Sequence, residues 1–315
     1  MSKSVTSTTL SADGRIRSAV RSATPGYRGR RLWRVGLYLL VVILLVWALA
    51  PLLWLVVSSV STRRELYATP TKHWIPQHPT LANYAGVFSG GTGFRGGSST
   101  PDAGLLFAGV RNSLITSVGT AAILTVLSTL AAYAFARFRF RGKSALFLVM
   151  MFLLPLPVWV SLIQLYFLIS SLGLLDSDIG LIFIFVAFGL PLYVWIMETY
   201  IRSLPQEIEE AAMIDGCSRL GVLIRVILPI AVPGLATVFL TSLLTTWNAF
   251  LLPLIFTNTA ASQTLPVILS LFVGQYEVSW EAMSAAAVIT LLPPVCMAFF
   301  FQRYLVRGLS LGAVR

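Results

Sequence analysis

Charge, cysteine and histidine are all scarce in this sequence, and each shortage removes a class of function. Only 11% of the 315 residues are charged, against roughly 25% in an ordinary globular domain. Two cysteines, Cys217 and Cys296, stand far apart with no His or second Cys at ligand spacing, which argues against a zinc site or a disulfide framework. The two histidines, His73 and His78, flank a Trp-Ile-Pro stretch. Pro76 and Pro79 oppose a helix that would align them, so a surface role is expected. No G-x-x-x-x-G-K-S/T stretch occurs, so the chain has no phosphate-cradling loop and no cofactor of its own is expected. Nor is there a cluster of His, Cys or carboxylate residues of the kind an enzyme site needs.

What is abundant is apolar sequence: 57% of the residues are hydrophobic, which marks an all-helical protein crossing the membrane many times. The formal net charge of +11 is concentrated at the start, in Lys3, Arg15, Arg17, Arg21, Arg28, Arg30, Arg31 and Arg34 against the single acid Asp13. Basic residues before a first span follow the positive-inside rule, and with no aromatic-interleaved motif a nucleic-acid partner is not expected. Residues 1–34 read as a disordered cytoplasmic tail. Residues 35–60 form an apolar run longer than the roughly 20 residues that cross a bilayer core. Ala48-Leu49-Ala50 imitates a signal-peptide cleavage site, but the apolar run continues past Pro51 and cleavage is not expected. Residues 61–109, with Pro70, Pro76, Pro79 and a Gly/Ser-rich stretch at 89–100, read as an external loop.

Five further spans follow from hydropathy, at about 110–136, 144–170, 179–201, 227–256 and 282–304. Arg137, Arg139, Arg141 and Lys143 put the loop after the second span inside, while Asp176 and Asp178, and later Glu277 and Glu281, lie in loops without basic residues. The pattern predicts six spans, a core at 110–304 and a tail at 305–315, with both termini cytoplasmic in a prokaryotic cell membrane. It also places the segment 202–229 inside.

The spans hold almost no ionisable residue, and Glu198, near the inner end of the fourth, is the one acid within them. A charge at the bilayer centre costs at least about 2.5–3.5 kcal/mol and usually marks an ion path. A self-sufficient ion-coupled carrier or channel is therefore the weaker reading. Uncharged polar residues do occur: Asn112, Ser113, Thr116, Gln164, Thr245, Thr246 and Asn248. They either knit helices together or line a path for a polar solute. Trp247-Asn248, an aromatic face beside an amide, suits a sugar ring, and Phe250 follows it; Asn112, Gln164, Trp247, Asn248 and Phe250 are the path candidates.

The inner segment carries a charged island. Pro205 suits a first helical turn, Glu207, Glu209 and Glu210 favour the positive end of a helix dipole, and Gly216 stands where a left-handed cap would end the helix. Ser218 is placed to cap a second helix running toward Leu228-Pro229. Ala211 and Ala212 leave a low surface for close approach by another protein. Taken alone, the segment reads more simply as an ordinary surface helix than as a docking surface.

Glu210-Ala211-Ala212, Gly216 six positions later, and Leu228-Pro229 beyond it resemble the EAA loop of ABC importer permeases; Val226 stands where that family usually has Ile. Asp215, Trp247-Asn248-x-Phe250-x-x-Pro253-Leu254, Arg137-Phe-Arg-Phe-Arg-Gly142, Arg111-Asn112-Ser113-Leu114 and the end from Gly308 through Gly312 to Arg315 are similar to its carbohydrate branch, the MalG-like permeases of the maltose-transporter class. The resemblance covers 35–315 and implies a MetI-like fold. It further implies a second homologous permease, two ATPase subunits that bind the ATP and Mg, an extracellular or periplasmic binding protein and a sugar substrate. Glu210, Ala211, Ala212, Asp215, Gly216, Leu228 and Pro229 would be the ATPase-coupling residues, with Glu210, Asp215 and Gly216 carrying the coupling and Gly308, Gly312 and Arg315 reaching the same subunits.

Overall fold

The computed structural model describes residues 27–68, 74–89, 103–155, 157–272 and 279–313, and the described residues contain helices and no strand. The chain divides into two compact units, residues 1–55 and 56–315. Helix α1, Tyr27–Val60, begins in the first and ends in the second. Its segment Trp33–Val60 is long and apolar enough to cross a bilayer. Residues 27–34, expected to be disordered, are its first turns; the rest of the expected basic tail lies outside the described residues.

The second unit is built around α2 (Ala103–Arg137) and α5 (Asp178–Arg202), joined by the shorter helices α3 (Lys143–Leu153) and α4 (Leu162–Ser171). It continues through α6 (Gln206–Ile214), α7 (Arg219–Ile230), α8 (Val232–Trp247) and α9 (Trp280–Ala313). Short helices at Arg63–Leu66, Ala82–Ser89, Leu251–Phe256 and Leu265–Ser270 fill the connections. The expected external loop 61–109 is thus shorter than its polar sequence suggested, since α2 starts at Ala103; most of the Gly-rich stretch lies outside the described residues.

Among the described residues four helices are long and apolar enough to span, α1, α2, α5 and α9, and the pair α7–α8 makes a fifth if counted as one bent span. Two expected spans are interrupted. The run 144–170 is broken between α3 and α4 at Pro155 and Pro157, where Pro157 is extended (φ −69°, ψ 127°). Prolines two apart remove two ladder donors and disfavour helix in the residue before each. The run 227–256 is bent by 76° between α7 and α8 and breaks again at 248–250. Pro233 has no N–H to offer the Pro229 carbonyl four residues back, so it sits in the first turn of a new helix, where nothing is lost. The last helix continues to Ala313 where a tail was expected from 305.

Three apolar clusters hold the second unit. At the Arg137 end Tyr133, Tyr193, Met197, Ile201, Val222, Leu223 and Ile227 join α2, α5, α7 and α8. Toward the other end Val87, Trp247, Ile268 and Ala285 form a second cluster, and Ile169, Leu181, Ile184 and Phe256 a third. The packing is close enough that a methyl placed on Gly234 would sit 2.7 Å from Tyr200 Cδ1. Large apolar side chains such as Phe152, Ile163 and Phe167 stay exposed on α3 and α4, a surface suited to lipid or another subunit.

Candidate functional site

Helix α6 is short, and one side of it is bound to the bundle while the other is open. Pro205, expected in the first turn, stands one position earlier as the N-cap residue (φ −58°, ψ 131°) and sets the chain direction. The C-terminus closes as the sequence suggested. Gly216 takes φ +90°, its N–H donates to Met213 O at 3.1 Å, and Cys217 N–H donates to Ala212 O at 3.0 Å. These two bonds are a Schellman cap, which satisfies carbonyls that a helix end leaves orphaned. Ser218 then caps α7, its hydroxyl accepting from Gly221 N–H at 3.2 Å.

The open side carries Glu207, Ile208, Glu210, Ala211, Met213 and Ile214, all exposed. Ile214 is 86% exposed and Leu220, just past the turn, 62%, an apolar lip beside the acids. Asp215 is also exposed, Ala212 and Leu228 are half-buried against the cluster under α6, and Pro229 is exposed. The inward side is carried by Glu209, 5% exposed. Its Oε1 accepts from Arg137 Nε at 2.6 Å, and Tyr133 Oη–H points to Oε2 at 3.5 Å. Arg137 Nη2 donates to Ile201 O and Leu204 O, both at 3.0 Å. The Arg219 guanidinium lies 5.3 Å above the Phe138 ring. Hydropathy had used Arg137 only to orient a loop; its pairing with Glu209 was not foreseen, although a lone buried acid at a helix start calls for a cation.

The path candidates divide by burial. Asn112 is fully buried, donating to Ala260 O and Gln263 O at 3.0 Å each, while Ser113 Oγ accepts from Leu265 N–H at 2.8 Å. Trp247 is 2% exposed within the second cluster. Gln164, Asn248 and Phe250 are exposed; Asn248 and Phe250 share the non-helical turn after α8, where Asn248 Nδ2 donates to Leu244 O at 2.8 Å. Glu198, the one acid expected near a span, is buried and paired with Arg202 one turn on. Gly308 and Gly312 lie in the backbone of α9, and Arg315 lies outside the described residues.

At the far end of α5 sits a cluster the sequence reading had treated only as a topology marker. Asp176 adopts φ +55° and accepts from Asn258 N–H at 2.7 Å, Thr259 N–H at 3.0 Å, Thr259 Oγ1 at 2.6 Å and the Ser262 hydroxyl. Its own N–H donates to Phe256 O at 2.9 Å. Partial burial pushes the carboxyl up, but the bonds from Ser262, Thr259 and Asn258 outweigh it and hold the group well below the ordinary carboxylate range. Together with Asn112, Asp176 pins the segment 257–264 from two sides. Among the described residues no group of three His, Cys, Asp or Glu stands close enough to hold a metal ion.

Residues 124–311 match the family model described as "Binding-protein-dependent transport system inner membrane component". The chain is 33% identical to the sulfoquinovosyl glycerol transport system permease SmoH of Agrobacterium fabrum, over 87% of this chain and 91% of that one. It is 34% identical to the trehalose/maltose transport system permease MalG of Thermococcus litoralis, over 90% and 98%. With the diacetylchitobiose uptake permease NgcG of Streptomyces coelicolor it shares 31% over 87% of each. Among solved structures it is similar in fold to a chain of a bacterial ABC transporter involved in alginate import, with TM-score 0.74, 22% identity, and coverage of 90% of this chain and 100% of that one.

Proposed function

The chain belongs to the family of binding-protein-dependent transport system inner membrane components, and from that premise we propose that it pairs with a second homologous permease to form the path by which a sugar is imported. Two ATPase subunits on the cytoplasmic side bind ATP and Mg and drive the pore, and an extracellular or periplasmic binding protein delivers the solute. The observation that carries the reading is the open side of α6: Glu210, Ala211, Asp215 and Ile214 are exposed on a helix fixed at both ends, a surface the fold itself leaves unused. Gly216 and Ser218 set its limits, and Leu228-Pro229 closes the segment above it.

In this reading α3 with α4 counts as one broken span and α7 with α8 as one bent span, giving six crossings with both termini cytoplasmic in a prokaryotic cell membrane. The core is 110–304, the coupling loop 202–229, and the end from Gly308 to Arg315 reaches the same ATPases. Gln164, Asn248 and Phe250 are the residues offered to the solute; Asn112 and Trp247 support the wall behind them. A carbohydrate is favoured because the permeases SmoH, MalG and NgcG are named for sulfoquinovosyl glycerol, trehalose/maltose and diacetylchitobiose. Glu198 is paired with Arg202, and Glu281, the second residue of α9, has the Arg63 guanidinium at 3.9 Å, which leaves the described spans little with which to couple a proton or sodium ion.

The test is uptake into proteoliposomes holding the whole complex, with radiolabelled trehalose, maltose and diacetylchitobiose presented on the cognate binding protein. Uptake of at least one that requires ATP on the cytoplasmic side supports the reading. Transport by this chain alone, driven by a proton or sodium gradient, overturns it.

A further inference from the structure

We propose that Arg137 is a positioning residue that makes α6 move as one rigid piece with α2 and α5, so that Glu209 carries motion into the membrane while Glu210 receives it. The proposal rests on the reading of α6 as the ATPase seat. One guanidinium reaches three elements at once: it is the last residue of α2, it donates to Ile201 O in the last turn of α5 and to Leu204 O in the linker, and it donates to Glu209 on α6. The Arg137 and Glu209 side chains are 6% and 7% exposed.

A buried ion pair seldom stabilises a fold more than apolar residues of the same size, so stability alone gives no reason for it here. What a planar guanidinium fork supplies is fixed direction, because its donors cannot rotate independently. It also neutralises carbonyls at the C-terminal end of α5, where a cation is favoured. Tyr133, whose hydroxyl points to Glu209, packs edge-on against Phe138 with rings 5.7 Å apart, and Arg219 above Phe138 ties in α7. Consecutive glutamates on α6, about 100° apart around the helix, therefore serve different sides: Glu209 is buried against the bundle and Glu210 is exposed. A push received at Glu210 reaches Glu209 across one peptide unit of helix backbone.

A rigid joint makes a specific prediction about distances within this one chain. The full complex is assembled in lipid nanodiscs, with Cys217 and Cys296 replaced by Ser and spin labels at Gln206→Cys on α6 and Leu127→Cys on α2. Pulsed electron spin resonance measures the label separation before and after trapping with Mg-ATP and orthovanadate. With Arg137 and Glu209 intact, the distance distribution keeps its centre and width through trapping. In Glu209→Gln and in Arg137→Lys, the distribution shifts or broadens on trapping while the ATPase subunits stay bound, because the exposed side of α6 is unaltered. A shift in the intact chain overturns the proposal, and that arm decides it even if a variant fails to assemble. Unchanged distributions in both assembled variants overturn it too. Failure of the intact complex to retain ATPase subunits would instead sink the reading of α6 as their seat.

Discussion

Gly216 and Asp176 both hold a backbone that most residues avoid, and for different reasons. Gly216 at φ +90° ends α6 with no Cβ to clash, and nothing else crowds it. Gly216→Val should therefore cost about 1–2 kcal/mol from the left-handed backbone alone. In the purified protein this appears as a lowered thermal midpoint, with faster amide exchange confined to 211–218. Asp176 at φ +55° is held by four incoming bonds instead. Because its carboxyl is depressed in the folded state, the anchoring it gives is complete above the ordinary value of about 3.9 and is lost only as pH falls through the lower folded value. Protection of the Asn258 and Thr259 amides, corrected for intrinsic exchange, should be flat from pH 5 to pH 8 and decline only in stronger acid. Asp176→Asn, which has one acceptor oxygen where the carboxylate has two, should lower that protection across the whole range; equal protection would show that the segment is held by Asn112 alone.

At the scale of elements, the two long uninterrupted apolar helices α2 and α5 were legible because hydropathy and length suffice to identify them. The broken ones were legible only in part: prolines in or near the spans, Pro155, Pro157 and Pro233 among them, imply kinks, but not which of them end a helix. The sum of side-chain hydropathies over 144–170 or 227–256 is blind to where the backbone ladder loses a donor, and Pro155, Pro157 and Pro233 decide that. The island at 206–218 was read well locally, since Ser218 and Gly216 are short-range signals. Which of Glu209 and Glu210 faces inward was not legible, because neighbours on a helix differ by about 100° in direction and only the position of Arg137, remote in sequence, fixes the phase. The same lesson holds for Asn112, whose partners Ala260 and Gln263 lie far along the chain. Close packing between α5 and α8 gives a further expectation. Gly234→Ala forces a methyl against the Tyr200 ring, an overpacking that should cost about 1–3 kcal/mol. A thermal midpoint equal to that of the unmodified protein would show that the Tyr200 ring gives way freely.

For the whole molecule, the scarcity of charge and the placement of what charge remains belong to one account. Among the described residues Glu198 is paired with Arg202, and the exposed acids, Glu207, Glu210 and Asp215, gather on α6 and its cap. In the proposed account, that surface is where a subunit with no nucleotide loop of its own receives work from an ATPase. The most direct measurement is co-purification of the ATPase subunits with the Glu210→Lys variant, together with ATP-driven uptake and membrane insertion in the same cells. The account predicts normal insertion with loss of the ATPases, of uptake, or of both. ATPase attachment and uptake that both match the unmodified protein would contradict it.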